Sequence, residues 1–194
     1  VQHYRQDRSQ QNQAMDSVIF IGQPVDVEYI RVSNPQELKA TEMSTKEGNK
    51  VVLIESGIYN MNSHLYLTGS NLTYKSCSGN RDDVIIKGNF SVGSLFMIAG
   101  DHVTIRDLSI GEVNNHAIQV HGEHDADHVF ISNVRIFDTR EQMIKGSKAV
   151  STDATQSCDN GIVEYCLFEF TQGHAYQYYT GGIDIYNGAD WIVR

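Results

Sequence analysis

Proline is almost missing from this chain. With two in 194 residues, little interrupts a backbone ladder. Cysteine is nearly as scarce: Cys77, Cys158 and Cys166 are an odd count and no disulfide framework, leaving a bridge from Cys158 to Cys77 or Cys166 open. No run of 18 apolar residues occurs, so no membrane-spanning helix is expected. Cations are outnumbered, with 15 Lys and Arg against 24 Asp and Glu, a formal net charge of −9. That field repels nucleic acid and anionic membrane at long range, so neither is expected as a partner. An acidic polymer stays compatible where a basic patch or bound cation reverses the field locally. The N-terminus is polar and shows no leader pattern. A secreted or periplasmic location then requires a sequence that begins after processing. The sequons Asn71-Leu72-Thr73 and Asn89-Phe90-Ser91 suit export.

What the chain does have is a repeat. His102-Val103-Thr104-Ile105-Arg106-Asp107-Leu108-Ser109-Ile110 is echoed by His128-Val129-Phe130-Ile131-Ser132-Asn133-Val134-Arg135-Ile136, by Gly161 to Phe168, and again from Trp191. Aligned on Ile105, Ile131, Val163 and Val193, the copies lie 26, 32 and 30 residues apart. Each places apolar residues at i, i+3 and i+5: Ile105/Leu108/Ile110, Ile131/Val134/Ile136 and Val163/Cys166/Phe168. Neither a helix face nor plain alternation has that spacing. Two short strands with a bend between them point all three residues inward, Cys166 among them. A period of 20 to 50 residues marks a repeat array. The dense Leu framework of leucine-rich repeats and the 3.6-residue period of helical repeats are both missing. The pattern predicts an all-β, right-handed parallel β-helix, about three short strands per turn, with equivalent side chains stacked into one elongated core.

Along the chain, residues 1–17 read as a flexible Gln- and Arg-rich arm. The β-helix domain is expected over 18–194, cut off at its C-terminal end because the pattern stops in mid-coil. Val18–Ile21 and Val25–Val32 read as strands. Ser33-Asn34-Pro35-Gln36-Glu37 is a helix start, with a capping residue, Pro at the first helical position and Glu in the first turn. A short helix there caps the open end of the solenoid. Val51–Tyr59 opens the coils. Leu65–Leu67, Leu72–Tyr74, Val84–Ile86, Leu95–Ile98, Val103–Ile110 and Ala117–Val120 continue them, with turns at Gly69-Ser70-Asn71, Ser78-Gly79-Asn80 and Gly100-Asp101. Two long connections, Gly146–Asn160 and Thr171–Thr180, break the tight coils, and long loops on a rigid scaffold usually carry function.

The candidate chemistry lies beside those loops. Asp138-Thr139-Arg140-Glu141-Gln142-Met143-Ile144-Lys145 is followed about one coil later by Gly181-Gly182-Ile183-Asp184-Ile185-Tyr186. If Met143 or Ile144 packs inward, Glu141, Gln142 or Lys145 faces out; in the later strand Asp184 and Tyr186 face out. Neighbouring coils stand about 4.8 Å apart, so Lys145, Asp184 and Tyr186 share one outer face. The loop with His174, Tyr176, Tyr178 and Tyr179 flanks it as a set of sugar-stacking platforms. β-Elimination on a uronic acid needs a base for the proton α to the carboxylate, a cation for the enolate and an acid for the leaving oxygen. Lys145 suits the base and Tyr186 the acid, while calcium or Arg140 neutralises the carboxylate. An epimerase needs the same parts. A hydrolase needs two carboxylates, Asp184 with Glu141 or Glu164. His116, His121, His124 and His128, with Glu123, Asp125 and Asp127, invite a metal reading, but they fall on turns without a recognised ligand spacing and are expected to form a polar rim. Asn114, Asn115 and Asn133 are expected to satisfy turn backbone.

These segments also carry a resemblance. Asp138–Ser147, Asp159–Glu164 and Tyr178–Arg194 resemble a widespread group of bacterial right-handed β-helix repeat proteins of the pectate-lyase-like superfamily. More distantly, Lys145-Gly146-Ser147 followed by Gly182–Gly188 is similar to the chondroitinase B and alginate lyase family. There a Lys in an Asn-Lys-Ser strand is the base, and an Arg in a Leu-Arg-His-Gly strand one coil later assists. Lys145 matches the base; Tyr186 stands at the Arg position and Asn187 at the His position. The calcium-binding acids of that family have only Asp138 and Glu141 nearby. The resemblance implies a polysaccharide lyase acting on an acidic, uronate-containing polysaccharide. The catalytic candidates are Lys145, Tyr186, Asp184 and Glu141; the substrate-binding candidates are Arg140, His174, Tyr176, Tyr178 and Tyr179. A non-catalytic glycan-binding or structural β-helix is the competing expectation.

Overall fold

The computed structural model describes residues 27–148 and 156–194. The expected arm at 1–17 and the strand at 18–21 lie outside the described residues. The chain runs β1 (Glu28–Val32) and α1 (Pro35–Ser44), then strands in threes. These are β2 (Lys50–Ile54), β3 (Gly57–Asn60) and β4 (Leu65–Leu67), followed by β5 (Leu72–Ser76), β6 (Val84–Lys87) and β7 (Phe96–Ile98). Next come β8 (Thr104–Arg106), β9 (Ser109–Val113) and β10 (Ile118–Val120), then β11 (Phe130–Ser132), β12 (Arg135–Thr139) and β13 (Gln142–Gly146). The last are β14 (Ile162–Glu164), β15 (Leu167–Glu169), β16 (Gly181–Ile185) and β17 (Ile192–Val193). Strands one coil apart pair in parallel, giving a first sheet β1-β2-β5-β8-β11-β14-β17, a second β3-β6-β9-β12-β15 and a third β4-β7-β10-β13-β16. The protein is a parallel β-helix; parallel crossovers of this kind are right-handed in nearly all cases.

Ile105, Ile131 and Val163 are register partners in the first sheet, stacked on Tyr74. All four are buried at 1 % exposure or less. The i, i+3, i+5 spacing has a backbone cause. Asp107, Asn133 and Tyr165, each two residues after a stacked apolar residue, have φ of 57, 53 and 54°. This left-handed residue turns the chain so that the next strand presents Leu108 or Val134 inward instead of outward. Asp and Asn tolerate the conformation best among non-glycines, and Asn133 Nδ2 donates to Asp107 Oδ1 at 2.8 Å.

The corner between the third and first sheets repeats the device. Asn71, His102, His128, Asn160 and Asp190 are all left-handed, with φ of 54–59°. Just before them runs a side-chain ladder. The Asp101 amide donates to Ser70 Oγ (3.1 Å), Asp127 to Asp101 Oδ1 (3.1 Å), Asp159 to Asp127 Oδ1 (2.6 Å) and Ala189 to Asp159 Oδ1 (2.7 Å). The ladder serves backbone amides that face the corner, yet it stacks carboxylates. Partial burial, with the charges of Asp125, Asp159 and Asp101, holds the Asp127 carboxyl above the usual carboxylate range, against the lowering Asp159 amide bond. A raised pKa in the folded state means stability that is present below the unfolded value near 3.8 and lost as pH rises through the folded value. Asp127→Asn keeps the Oδ1 acceptor and removes the charge. It is expected to raise the melting temperature at pH 7 and to leave it unchanged at pH 3, compared by calorimetry at the two pH values.

The helix start is built as its sequence implies, and α1 runs on to Ser44. Asn34 Oδ1 accepts the Glu37 amide at 2.9 Å and Glu37 Oε2 accepts the Ser33 amide at 2.7 Å. The helix guards the first edge of the third sheet: Glu42 Oε1 takes the Tyr66 amide at 2.6 Å, and Lys39 Nζ donates to the His64 carbonyl at 2.7 Å. Unpaired strand edges invite association, so both contacts serve the capping role. Among the described residues no helix is long and apolar enough to cross a membrane. The three cysteines are free, Cys158 buried and Cys77 exposed, so neither bridge left open by the sequence forms. Cys166 packs partly buried against the core.

Candidate functional site

The third sheet positions the site. Its strands bury Leu65/Leu67, Phe96/Ile98 and Ile118/Val120 and, one coil further, Ile144, with Ile183 and Ile185 packed against the same core. Alternation then sends Tyr66, Met97, Gln119, Lys145 and Asp184 outward. Register pairs them successively, Tyr66 with Met97, Met97 with Gln119, Gln119 with Lys145 and Lys145 with Asp184. They form one column on the outer wall, although Lys145 and Asp184 lie 39 residues apart in sequence.

Within the column Lys145 Nζ donates to Asp184 Oδ2 at 2.5 Å. The Lys145 side chain is largely covered, at 16 % exposure, while Asp184 is at 39 %. Tyr186, just past β16, lies 63 % exposed. The ammonium groups of Lys145 and Lys148 stand 5.6 and 5.4 Å from its ring centroid. The three residues expected to share a face therefore do so. An ammonium held this closely by a carboxylate is first of all a cation, and it offers charge to an incoming anion.

Glu141 lies at the corner before β13, with Oε2 3.5 Å from His116 Nε2. His116 is buried and its Nδ1 lies 2.9 Å from the Gln142 carbonyl oxygen. That oxygen only accepts, so Nδ1 carries the proton and Nε2 of the neutral ring is the acceptor. Burial pushes the imidazole pKa down and the Lys145 charge adds to this, while the Gln142 carbonyl, Glu141 and Asp184 oppose it. His116 thus sits between Glu141 and the Gln142 carbonyl of the next coil, a placement its position on a turn did not signal. Gln142 was one option for an outward residue. It is buried instead, at 6 % exposure, and its Oε1 has no hydrogen-bond partner among the described residues.

The 171–180 loop reaches a different part of the wall. Gln177 Nε2 donates to the Arg140 carbonyl, and the Tyr176 ring sits 5.1 Å from Phe90 and 6.3 Å from Phe170. Arg140 Cζ lies 4.9 Å over Phe90, and its Nη1 donates to Asn114 Oδ1 at 2.9 Å. Arg140 and Tyr176 thus meet at the corner between the second and third sheets. His174 is exposed with Nδ1 3.1 Å from the Gln172 carbonyl, and Tyr178 and Tyr179 are 99 % and 52 % exposed. Among the described residues no hydrogen bond, ion pair or ring contact ties these three to Lys145, Asp184 or Tyr186. Glu164 is on the first sheet, buried, and bonded to Ser132 at 3.3 Å and Arg194 at 2.8 Å. It is on a different sheet from Asp184, which leaves Glu141 as the second acid of that pair.

The two acids nearest the calcium positions of the resemblance are engaged apart. Asp138 accepts the Thr171 amide at 2.9 Å on one oxygen and its hydroxyl at 2.6 Å on the other, while Glu141 faces His116. The histidines fall into pairs: His121 and His124 lie 5.8 Å apart beside Tyr66, with His121 Nδ1 2.6 Å from Glu123 Oε1 and His124 Nε2 2.9 Å from the Tyr66 hydroxyl, while His102 stacks on His128 at 4.5 Å. Among the described residues no group of three or more His, Cys, Asp or Glu is arranged to hold a metal ion. No known protein-family model matches this chain, and no curated protein matches it.

Proposed function

We propose that the outer wall of the third sheet binds an acidic polysaccharide and cleaves it by β-elimination at Lys145, Asp184 and Tyr186. The observation that carries this reading is the Lys145–Asp184 pair at 2.5 Å beneath an exposed Tyr186. It puts a cation, a proton acceptor and a phenol on one wall. The uronate carboxylate meets the Lys145 ammonium, which stabilises the enolate as charge develops. The Asp184 carboxylate takes the α-proton, and the C–H electrons form the carbon–carbon double bond. The bond to the leaving oxygen then breaks, and that oxygen takes the Tyr186 phenol proton.

The same ion pair favours a second reading, glycan binding without turnover, because the carboxylate that would take the α-proton already accepts a hydrogen bond from the Lys145 side chain. One assay separates the two. Incubated with pectin, alginate, glycosaminoglycans and ulvan, with and without chelator, the wild-type protein is expected to raise the ultraviolet absorbance of an unsaturated uronate with at least one polymer. Lys145→Ala is expected to abolish that rise and Tyr186→Phe to slow it about a hundredfold or more. Retention of a polymer on an affinity gel without any absorbance change supports binding alone. Neither retention nor product with any polymer removes both readings.

A further inference from the structure

We infer that the corner hollow beside Arg140 is a second carboxylate subsite, so that the ligand is an oligouronate reaching from Arg140 to Lys145 and not a single sugar; this rests on the reading of the Lys145 wall given above. The hollow has a volume of about 550 Å³ and is lined by Asn114, Arg140, Tyr176 and Gln177. Its cation is built into place. The guanidinium lies over Phe90 at 4.9 Å and donates to Asn114 Oδ1, and Asn114 is itself fixed by a 2.8 Å bond from Nδ2 to the Phe90 carbonyl. Tyr176 closes one side, its ring tilted 55° against Phe90, and Gln177 is anchored on the Arg140 backbone.

Arg140 is left without an acid. Arg31, Arg106, Arg135 and Arg194 each pair with a carboxylate, through Glu55, Asp107, Glu169 and Glu164, while Arg81 donates to the Tyr165 carbonyl at 3.1 Å and does not line this hollow. No carboxylate among the described residues pairs with Arg140. The nearby acids are already engaged, Glu112 with Lys87 at 2.6 Å and Asp138 with Thr171. In a chain of net charge −9, an oriented guanidinium facing a hollow is a receptor for an external anion. The planar fork matches a carboxylate, the Tyr176 ring offers a sugar face, and the Asn114 and Gln177 amides suit hydroxyls.

Spacing then sets the ligand's length. Lys145 follows Arg140 by five residues, and the extended strand from Gln142 to Lys145 alone covers about 10 Å. Two carboxylates that far apart belong to different sugar units of one chain.

Calorimetric titration with galacturonate, mannuronate and guluronate, each as monomer and as hexamer, tests this. At least one hexamer is expected to bind far more tightly than its monomer. Arg140→Gln should weaken that hexamer about tenfold or more, Arg140→Lys should weaken it less, and both should keep the wild-type melting temperature. Should Arg140→Gln bind the hexamer like wild type while Lys145→Ala loses it, the subsite is wrong and the Lys145 reading survives. Should no hexamer bind the wild-type protein, the oligouronate subsite is wrong, and the Lys145 reading falls with it only if the polymer panel above also gives neither retention nor product.

Discussion

Phe96→Ala should lower the unfolding free energy by about 3–5 kcal/mol, the range for deleting a fully buried aromatic ring. Phe96 stands in the middle of the chain's apolar stack, paired to Leu65 on one side and Ile118 on the other. It has no exposed surface, and its ring meets Tyr74 edge-on at 5.7 Å. The Tyr74 hydroxyl reaches Thr41 at 2.9 Å and Thr45 at 3.3 Å, around the end of α1. Removing the ring therefore opens a cavity and loosens the support of the tyrosine that ties the helix to the coils. Urea unfolding followed by circular dichroism measures the effect. Because each coil contacts only its neighbours, the slope should also fall if the coils on either side of the cavity begin to unfold separately. A loss below about 1 kcal/mol would contradict the close packing described for this core.

Asp107→Ala is expected to be as damaging, again by about 3–5 kcal/mol, through a different mechanism. Asp107 is 3 % exposed and accepts from Arg106 Nε at 2.8 Å; Arg106 is 6 % exposed. Taking the carboxylate away removes an acid from a buried guanidinium. It also deprives Asn133 of its 2.8 Å acceptor and places alanine at φ 57°, a conformation that alanine disfavours by about 1–2 kcal/mol. Asp107→Asn keeps the oxygen acceptor and a side chain that suits the left-handed turn, so thermal melts should rank wild type above Asn and Asn well above Ala. Equal losses for the two substitutions would mean that the charge alone matters and the turn does not.

Much of the architecture could be read from the residues because a parallel coil writes its register into the sequence. Ile105, Leu108 and Ile110 betray a bent pair of strands, since the left-handed residue between them shifts the alternation by one. For the same reason Lys145 and Asp184 were legible as neighbours: each sits between two inward residues on strands one coil apart. What stayed hidden depends on how loops fold over corners. Nothing in the spacing of Phe90, Asn114 and Tyr176 says that they converge, because the 171–180 loop, unlike a strand, has no period. His116 was hidden because its importance comes from burial and from the Gln142 carbonyl of the next coil. Gln142 was ambiguous because it opens its strand at a corner, where in-and-out alternation has not yet settled. Glu164 was offered as a partner for Asp184 on composition alone, whereas three sheets per coil separate residues that a flat reading leaves close.

In the first sheet, successive strands pair Lys50 with Leu72, Thr73 with Thr104, Thr104 with Phe130, Phe130 with Ile162 and Ile162 with Ile192, offsets of 22, 31, 26, 32 and 30 residues. Every difference in length is taken up between strands, and the stacking does not change. The wall behaves as a chassis with interchangeable fittings. Exchanging the 171–180 segment for one of different length and chemistry should reshape the hollow beside Arg140 while the melting temperature stays nearly constant, so loop surface and foldedness can be engineered as separate variables in this molecule.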